Sequence, residues 1–242
     1  MAQQFGLDKS ILMMDVLQAH AMEIRDVERG EKPFLYSSGN YGPGYVTIKN
    51  LVGRKRIIRS LSRELASKVA YTTSNINFVA GNVTGGLVPG WLLSEYLEEY
   101  WERRIPFVYV RDMRKRGGHK ELITGITNNP EIKQGDNCLV VEELVNFAET
   151  TVNSTLELRS VGYRITHAAC ILSYNNPVAI KSLEENNIEL LYLFTLSELL
   201  DAAEKFQTHE KKLIDSYREF LKNPLGWQKK RNLTPQKEGG TK

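Results

Sequence analysis

A chain of 242 residues with a net charge of +3, 41% hydrophobic and 25% charged, has the composition of a globular protein large enough for an α/β domain with appended helices. So small a net charge does not point to nucleic acid unless a local cluster does the binding. Cys138 and Cys170 lie in strand-like runs without metal-ligand spacing, which excludes a disulfide framework and predicts buried thiols in a reducing, cytoplasmic setting.

The spacing of Ile11, Met14, Val16, Leu17, Ala21, Ile24 and Val27 predicts an amphipathic helix over residues 8–28, with Asp8 as its N-cap and Gly30 and Pro33 ending it. Phe34-Leu35-Tyr36 and Tyr45-Val46-Thr47-Ile48 read as two arms of a hairpin across a connection rich in glycine and proline. Residues 53–70 read as a helix whose Arg54, Lys55, Arg56, Arg59 and Arg63 form a solvated face opposite Ile57, Ile58, Leu61, Leu65 and Val69. A strand–helix alternation follows, the pattern of a parallel sheet. Its predicted strands are 78–81, 106–111, 137–143, 166–173 and 188–194; its helices are 87–103, 147–161 and 178–186. Residues 112–124 read as a long polar loop. Thr195 to Glu198 is a capping box that opens a helix to about Phe206, and a further helix at 209–222 stops at Asn223-Pro224. Residues 1–227 are expected to form one domain, and the polar stretch 228–242 a disordered tail. No apolar run reaches membrane-spanning length, and Asp8, Lys9 and Asp15 interrupt any signal-peptide pattern.

Three turns fall at the C-terminal ends of predicted strands, where an open α/β sheet binds its ligands. In Thr84-Gly85-Gly86, two glycines before a helix let backbone amides approach an anion; the plain alternative is a tight turn. The stretch from Arg111 to Lys120 holds five cations, among them Arg111 and Lys115, with His119 and a Gly-Gly pair. It is either a phosphate clamp or a solvated loop. Glu142-Glu143, adjacent acids closing the strand Asn137–Glu143, can hold the hydroxyls of a ribose or a divalent ion, or are simply exposed carboxylates.

Together these turns resemble the type I phosphoribosyltransferases, above all the orotate phosphoribosyltransferases, from about Phe34 to Trp227. Ser38-Gly39-Asn40 with Pro43 and Tyr45 is similar to a segment of that family's N-terminal hood. Val79-Ala80-Gly81 with Thr84-Gly85-Gly86 is similar to its pyrophosphate loop. Tyr109-Val110-Arg111, Lys115, Ile123 and Gly125 follow the frame of its mobile catalytic loop. The resemblance implies a central parallel sheet flanked by helices, with an N-terminal hood. It also implies transfer of a phosphoribosyl group from phosphoribosyl pyrophosphate (PRPP) to a pyrimidine base such as orotate, in a Mg²⁺-dependent homodimer without membrane or nucleic-acid partners. Lys115 and His119 are then expected to be catalytic. Thr84, Gly85, Gly86, Arg111, Glu142, Glu143 and Thr150 would hold PRPP, Tyr45 and Ser37 the base, and no protein group would ligate the metal directly. Against the family's pattern, the turn that wraps the 5′-phosphate is altered: Phe147 and Ala148 replace small or hydroxylated residues, and Glu149 brings a negative charge. Two like charges about 4 Å apart at an effective dielectric of 20 repel by roughly 4 kcal/mol, which predicts weakened PRPP binding. Ser37, Tyr174 and Asn175 stand where the family usually places basic residues. The alternative function is a non-catalytic module of the same fold that senses a ligand, dimerises or assembles. Nucleic-acid binding through the 111–120 stretch finds no base-reading module to support it.

Overall fold

The computed structural model describes residues 8–36, 39–111 and 122–235. In chain order, Lys9–Gln18 (α1) leads to four short strands, Met22–Ile24 (β1), Phe34–Leu35 (β2), Tyr41–Gly42 (β3) and Gly44–Val46 (β4). Then come Lys55–Thr72 (α2), Phe78–Asn82 (β5), Leu87–Trp101 (α3), Phe107–Val110 (β6) and Ile123–Thr124 (β7). Asn137–Val145 (β8), Glu149–Ser160 (α4), Arg164–Ser173 (β9), Pro177–Glu185 (α5) and Glu189–Thr195 (β10) complete the alternating part. Leu196–Lys205 (α6), Lys211–Lys222 (α7) and Pro224–Lys230 (α8) close the described chain. The chain forms two compact units, one made of the residues up to Leu12 with Ile48–Leu196 and the other of Met13–Thr47 with the segment from Ser197 onward.

The first unit is an α/β layer structure around a six-stranded sheet in the order β10-β9-β8-β5-β6-β7. Every pairing in it is parallel except β6 with β7. Central parallel strands are covered on both faces, so they read as continuous apolar runs. All five residues of β5 are buried, and Cys138, Leu139, Val140 and Val141 of β8 are wholly so. One face of the sheet packs Phe78, Val140 and Cys170 with Val152, Leu158 and Leu183 from the helices. Both cysteines are free and fully buried, and desolvation pushes both thiols well up. In α2 Ile57, Ile58, Leu61, Leu65 and Val69 are buried, and Lys55, Arg56, Arg59 and Arg63, with Arg54 at the cap, are exposed, so this helix face is solvated as expected. β7 falls inside the stretch read as polar loop; two residues are too few to carry a period, although Ile123 is buried.

Helix α3 lies unusually close to β5. A Cβ on Gly90 would come within 2.9 Å of the Phe107 ring and 3.3 Å of the Gly81 Cα, and one on Gly81 would come within 2.5 Å of the Gly86 carbonyl oxygen. Glycine is used at these positions for approach, and the approach fixes the turn that connects the two elements.

The expected first helix is much shorter, ending at Gln18. His20 takes a left-handed conformation, and Met22–Ile24 is a strand with Met22 and Ile24 buried and Glu23 exposed. Ile24 lies three residues after Ala21 and seven after Leu17, a helical spacing that a three-residue strand is too short to contradict. The expected hairpin is re-paired: β4 joins β1, with Glu23 opposite Tyr45, and Phe34–Leu35 joins Tyr41–Gly42. A local reading favours the nearest partner, whereas the fold uses one twenty residues away in the chain, on the order of a strand-and-loop spacing. Helix α8 carries the fold past Trp227: Gln228 is buried and its Oε1 accepts from the Tyr41 amide at 2.9 Å. Residues 236–242 lie outside the described residues.

Gly81→Ala is expected to lower stability by about 1–3 kcal/mol, the usual cost of overpacking, because the added methyl meets backbone rather than a mobile side chain. Urea unfolding of the full chain measures it; an unchanged midpoint would mean that α3 is free to move off the sheet.

Candidate functional site

Parallel strands bring their C-terminal ends to one edge of the sheet. Gly81 pairs with Tyr109 on one side and Val141 on the other. The Asn82–Gly86 turn, Arg111 and the Glu142-Glu143 pair therefore lie at the same end of the sheet, the acids still within β8. Successive strand residues point to opposite faces, so the adjacent acids meet different partners. Glu142, only 7% exposed, accepts a hydrogen bond from Asn82 Nδ2 at 2.7 Å. Asn82 itself is buried, and its Oδ1 has no hydrogen-bond partner among the described residues. Glu143 is half-buried and leans on the turn: a methyl group on Gly85 would overlap its carboxyl group. Desolvation pushes the Glu143 pKa up, opposed by its own backbone N–H and by the charge of Lys49.

The turn enters α3 through Gly86, whose amide donates to the Asn82 carbonyl at 2.9 Å, and the Val83–Thr84 peptide is cis. Arg111 continues from β6; its Nη2 donates to the Tyr109 hydroxyl at 3.0 Å, and its buried Nε has no hydrogen-bond partner among the described residues. At the end of β8, Asn146 Oδ1 accepts from Asn176 Nδ2 at 3.4 Å, and Phe147 is 44% exposed, so its ring is not buried in the turn. Ala148 caps α4 in the left-handed region, φ 63°, which favours glycine and costs an alanine about 1–2 kcal/mol. Glu149 and Thr150 are exposed in the first turn of α4. Exposure lets water screen Glu149, so the strong repulsion expected of it at low dielectric is an upper bound.

The edge of the sheet thus brings together Thr84, Gly85, Gly86, Glu142 and Glu143 around Asn82, with Arg111 and Thr150 starting from neighbouring strand ends. Tyr45 belongs to the second unit, where it is 42% exposed and its ring lies 5.6 Å from Phe34 and 6.4 Å from Tyr36. Ser37, Lys115 and His119 lie outside the described residues. Sequence reasoning missed two participants. Asn82 was visible as a polar residue ending an apolar strand, but nothing local marked Lys49.

No family model matches the chain. The orotate phosphoribosyltransferase of Listeria monocytogenes is 28% identical over 200 residues, which make up 82% of this chain and 90% of that protein. The chain is orotate phosphoribosyltransferase-like. Its fold is that of solved phosphoribosyltransferases. Mycobacterium tuberculosis orotate phosphoribosyltransferase in complex with PRPP matches it with a TM-score of 0.58 at 17% identity, over 80% of this chain and 99% of that one. Leishmania donovani UMP synthase matches with a TM-score of 0.71 at 22% identity, over 90% of this chain, which spans 43% of the length of that protein. Among the described residues of this phosphoribosyltransferase-like chain, no helix is long and apolar enough to cross a membrane.

A carboxyl whose pKa is higher in the folded than in the unfolded protein lowers stability as pH rises through the carboxylate range, and the loss is complete above the folded value. Glu143→Gln is therefore expected to raise the urea midpoint at neutral pH and to leave it unchanged in acid, where the wild-type carboxyl is protonated in both states. Asn82→Ala, which leaves the buried Glu142 without this donor, is expected to cost about 1–3 kcal/mol in the same assay.

Proposed function

We propose that the chain transfers a phosphoribosyl group from PRPP to a pyrimidine base of the orotate type. The observation that carries this reading is the acid pair of β8, one carboxylate buried on Asn82 and the other facing the Gly85 turn, in a chain similar to orotate phosphoribosyltransferases over most of its length. In this reading Glu142 and Glu143 hold the two ribose hydroxyls, and Thr84, Gly85, Gly86 and Arg111 face the pyrophosphate. Thr150 and the start of α4 meet the 5′-phosphate. Lys115 and His119 are the catalytic residues of this reading, and Tyr45 and Ser37 its base-binding ones. The bond from ribose C1 to the pyrophosphate oxygen breaks as the base nitrogen bonds to C1. The oxocarbenium-like transition state is stabilised by holding both partners in place and by countering the charge of the leaving pyrophosphate.

Mg²⁺ fits the site as a companion of the substrate. Among the described residues, no group of three or more His, Cys, Asp or Glu can hold a metal. Mg²⁺ is commonly held by one or two carboxylates together with substrate phosphates, and Glu143 offers a half-buried carboxylate. When bound, it neutralises charge on the pyrophosphate.

A homodimer belongs to the same reading. On the first unit, Trp91 is 55% exposed beside a cavity of about 460 Å³ lined by Leu87, Val88, Phe107 and Tyr109, an apolar surface suited to a second copy. Light scattering on the wild type and on Trp91→Glu tests it, the variant being expected to shift to monomer. The cytoplasm is the compartment that this reading implies.

Ala148 in its left-handed cap, exposed Phe147 and Glu149 favour a second reading, a non-catalytic module of the same fold that no longer takes the 5′-phosphate. Radiolabelled PRPP with orotate, other pyrimidines and Mg²⁺ decides between the two. Transfer to any of these bases supports the enzyme; no transfer, together with no PRPP binding by calorimetry, leaves the module. In the enzymatic reading Glu149→Thr tightens PRPP by about fivefold, the effect of one like charge about 4 Å away in a water-like dielectric.

A further inference from the structure

Helix α3 runs for 15 residues from Gly86, with no side-chain hydrogen bond at its cap and no acidic residue in its first turn. Its leading amides and the positive end of its dipole thus have no carboxylate from their own segment. A carboxylate arrives instead from β8. Glu143 lies against Gly85, the residue before the cap, so closely that no side chain fits between them. The next residue is closed off by the sheet, since a methyl group on Gly86 would overlap the carbonyl oxygen of Val141. Gly85 is therefore the bare backbone of the turn, and Glu143 covers it. Burial raises the Glu143 pKa despite the help of its own backbone N–H and of Lys49. A charged group in that state is poised to leave when something better solvates it or replaces it.

We propose that Glu143 is an internal anion of the Thr84–Gly86 turn, which an incoming pyrophosphate group must displace in order to bind there. This rests on reading the turn as the pyrophosphate loop. Reach is the determinant. Aspartate is shorter than glutamate by one methylene, so an aspartate at this position draws its carboxylate back from Gly85. Displacement also has a consequence for the ribose. Once lifted from the turn, Glu143 is free to accept a hydrogen bond from a ribose hydroxyl, so the pyrophosphate end of a substrate releases the acid that receives its sugar end. Glu142, tied to Asn82, stays in place throughout.

Calorimetry with inorganic pyrophosphate on the full chain tests this in the wild type, Glu143→Asp and Glu143→Gln, with thermal melts checking that each variant folds. Both variants are expected to bind pyrophosphate at least about tenfold more tightly than wild type. Tightening in Glu143→Gln alone would mean that the carboxylate acts through its charge without occupying the turn, and would overturn the proposal, as would equal affinities or no binding in all three. If a variant fails to fold, carbon-13 NMR of the wild-type Glu143 carboxyl replaces it: the resonance must move as pyrophosphate is added, and a static resonance, with or without binding, overturns the proposal. PRPP transfer is read separately. A chain that transfers nothing but shows the tightened pyrophosphate binding keeps this inference and loses the enzymatic reading.

Discussion

A carboxylate at the end of a buried parallel strand needs a donor, and across the β5–β8 pairing Asn82 provides one to Glu142 at 2.7 Å. Breaking such a bond leaves a buried group unpaired, which costs more than the bond gains when made. The arrangement ties the end of β5 to β8 three residues before β8 ends. The turn from β5 to α3 can then be as tight as it is because Gly81 and Gly90 let α3 close on the sheet. The polar pair and the glycine contacts are two parts of one constraint. The pair sets where β8 ends relative to β5, and the glycines set how near the helix lies. Moving either would carry Glu143 off Gly85.

The two acids, adjacent in sequence, therefore differ physically. Glu142 is held by a neutral amide in the interior and has one defined place. Glu143 is half-buried, close to a cation on Lys49, and shifted toward its protonated form by desolvation. In a sheet-edge site, a fixed acid gives orientation and a movable one gives responsiveness. A single dipeptide on a strand supplies both because the strand's alternation sends its two side chains to different surroundings.

Most of the sheet was legible because parallel central strands are apolar without interruption: Cys138 to Val141 admits no other reading, and the helices between strands are long enough for their period to appear. The acid pair and the glycine turn were legible as residue types at strand ends. What failed were short elements. Met22–Ile24 continued a helical pattern by coincidence, and β4 took β1 as its partner although Phe34–Leu35 is nearer in the chain. Asn82 and Lys49 escaped for another reason: their roles exist only once strands far apart in sequence lie side by side.

The turn after β8 holds a conformation that its own residue does not favour. Ala148 holds the left-handed cap that glycine takes at little cost, and it can do so because its methyl is buried with Val145 and Val152, so packing offsets part of the backbone cost. Glu149 at the first position of α4 is likewise suited to the helix, since a carboxylate there is stabilised by the dipole by about 0.3–1 kcal/mol. The same carboxylate opposes any second anion at that helix end. Residues that are good for the helix and poor for a phosphate have accumulated at α4. The helix α3 has no acid in its own first turn and borrows Glu143, whose carboxylate can move away. The two helix N-termini at this edge thus differ, one having an acid in its own first turn and the other having the Glu143 carboxyl beside the turn that enters it. In the enzymatic reading proposed above, the turn before α3 therefore opposes its phosphate group less than the turn before α4 opposes the 5′-phosphate.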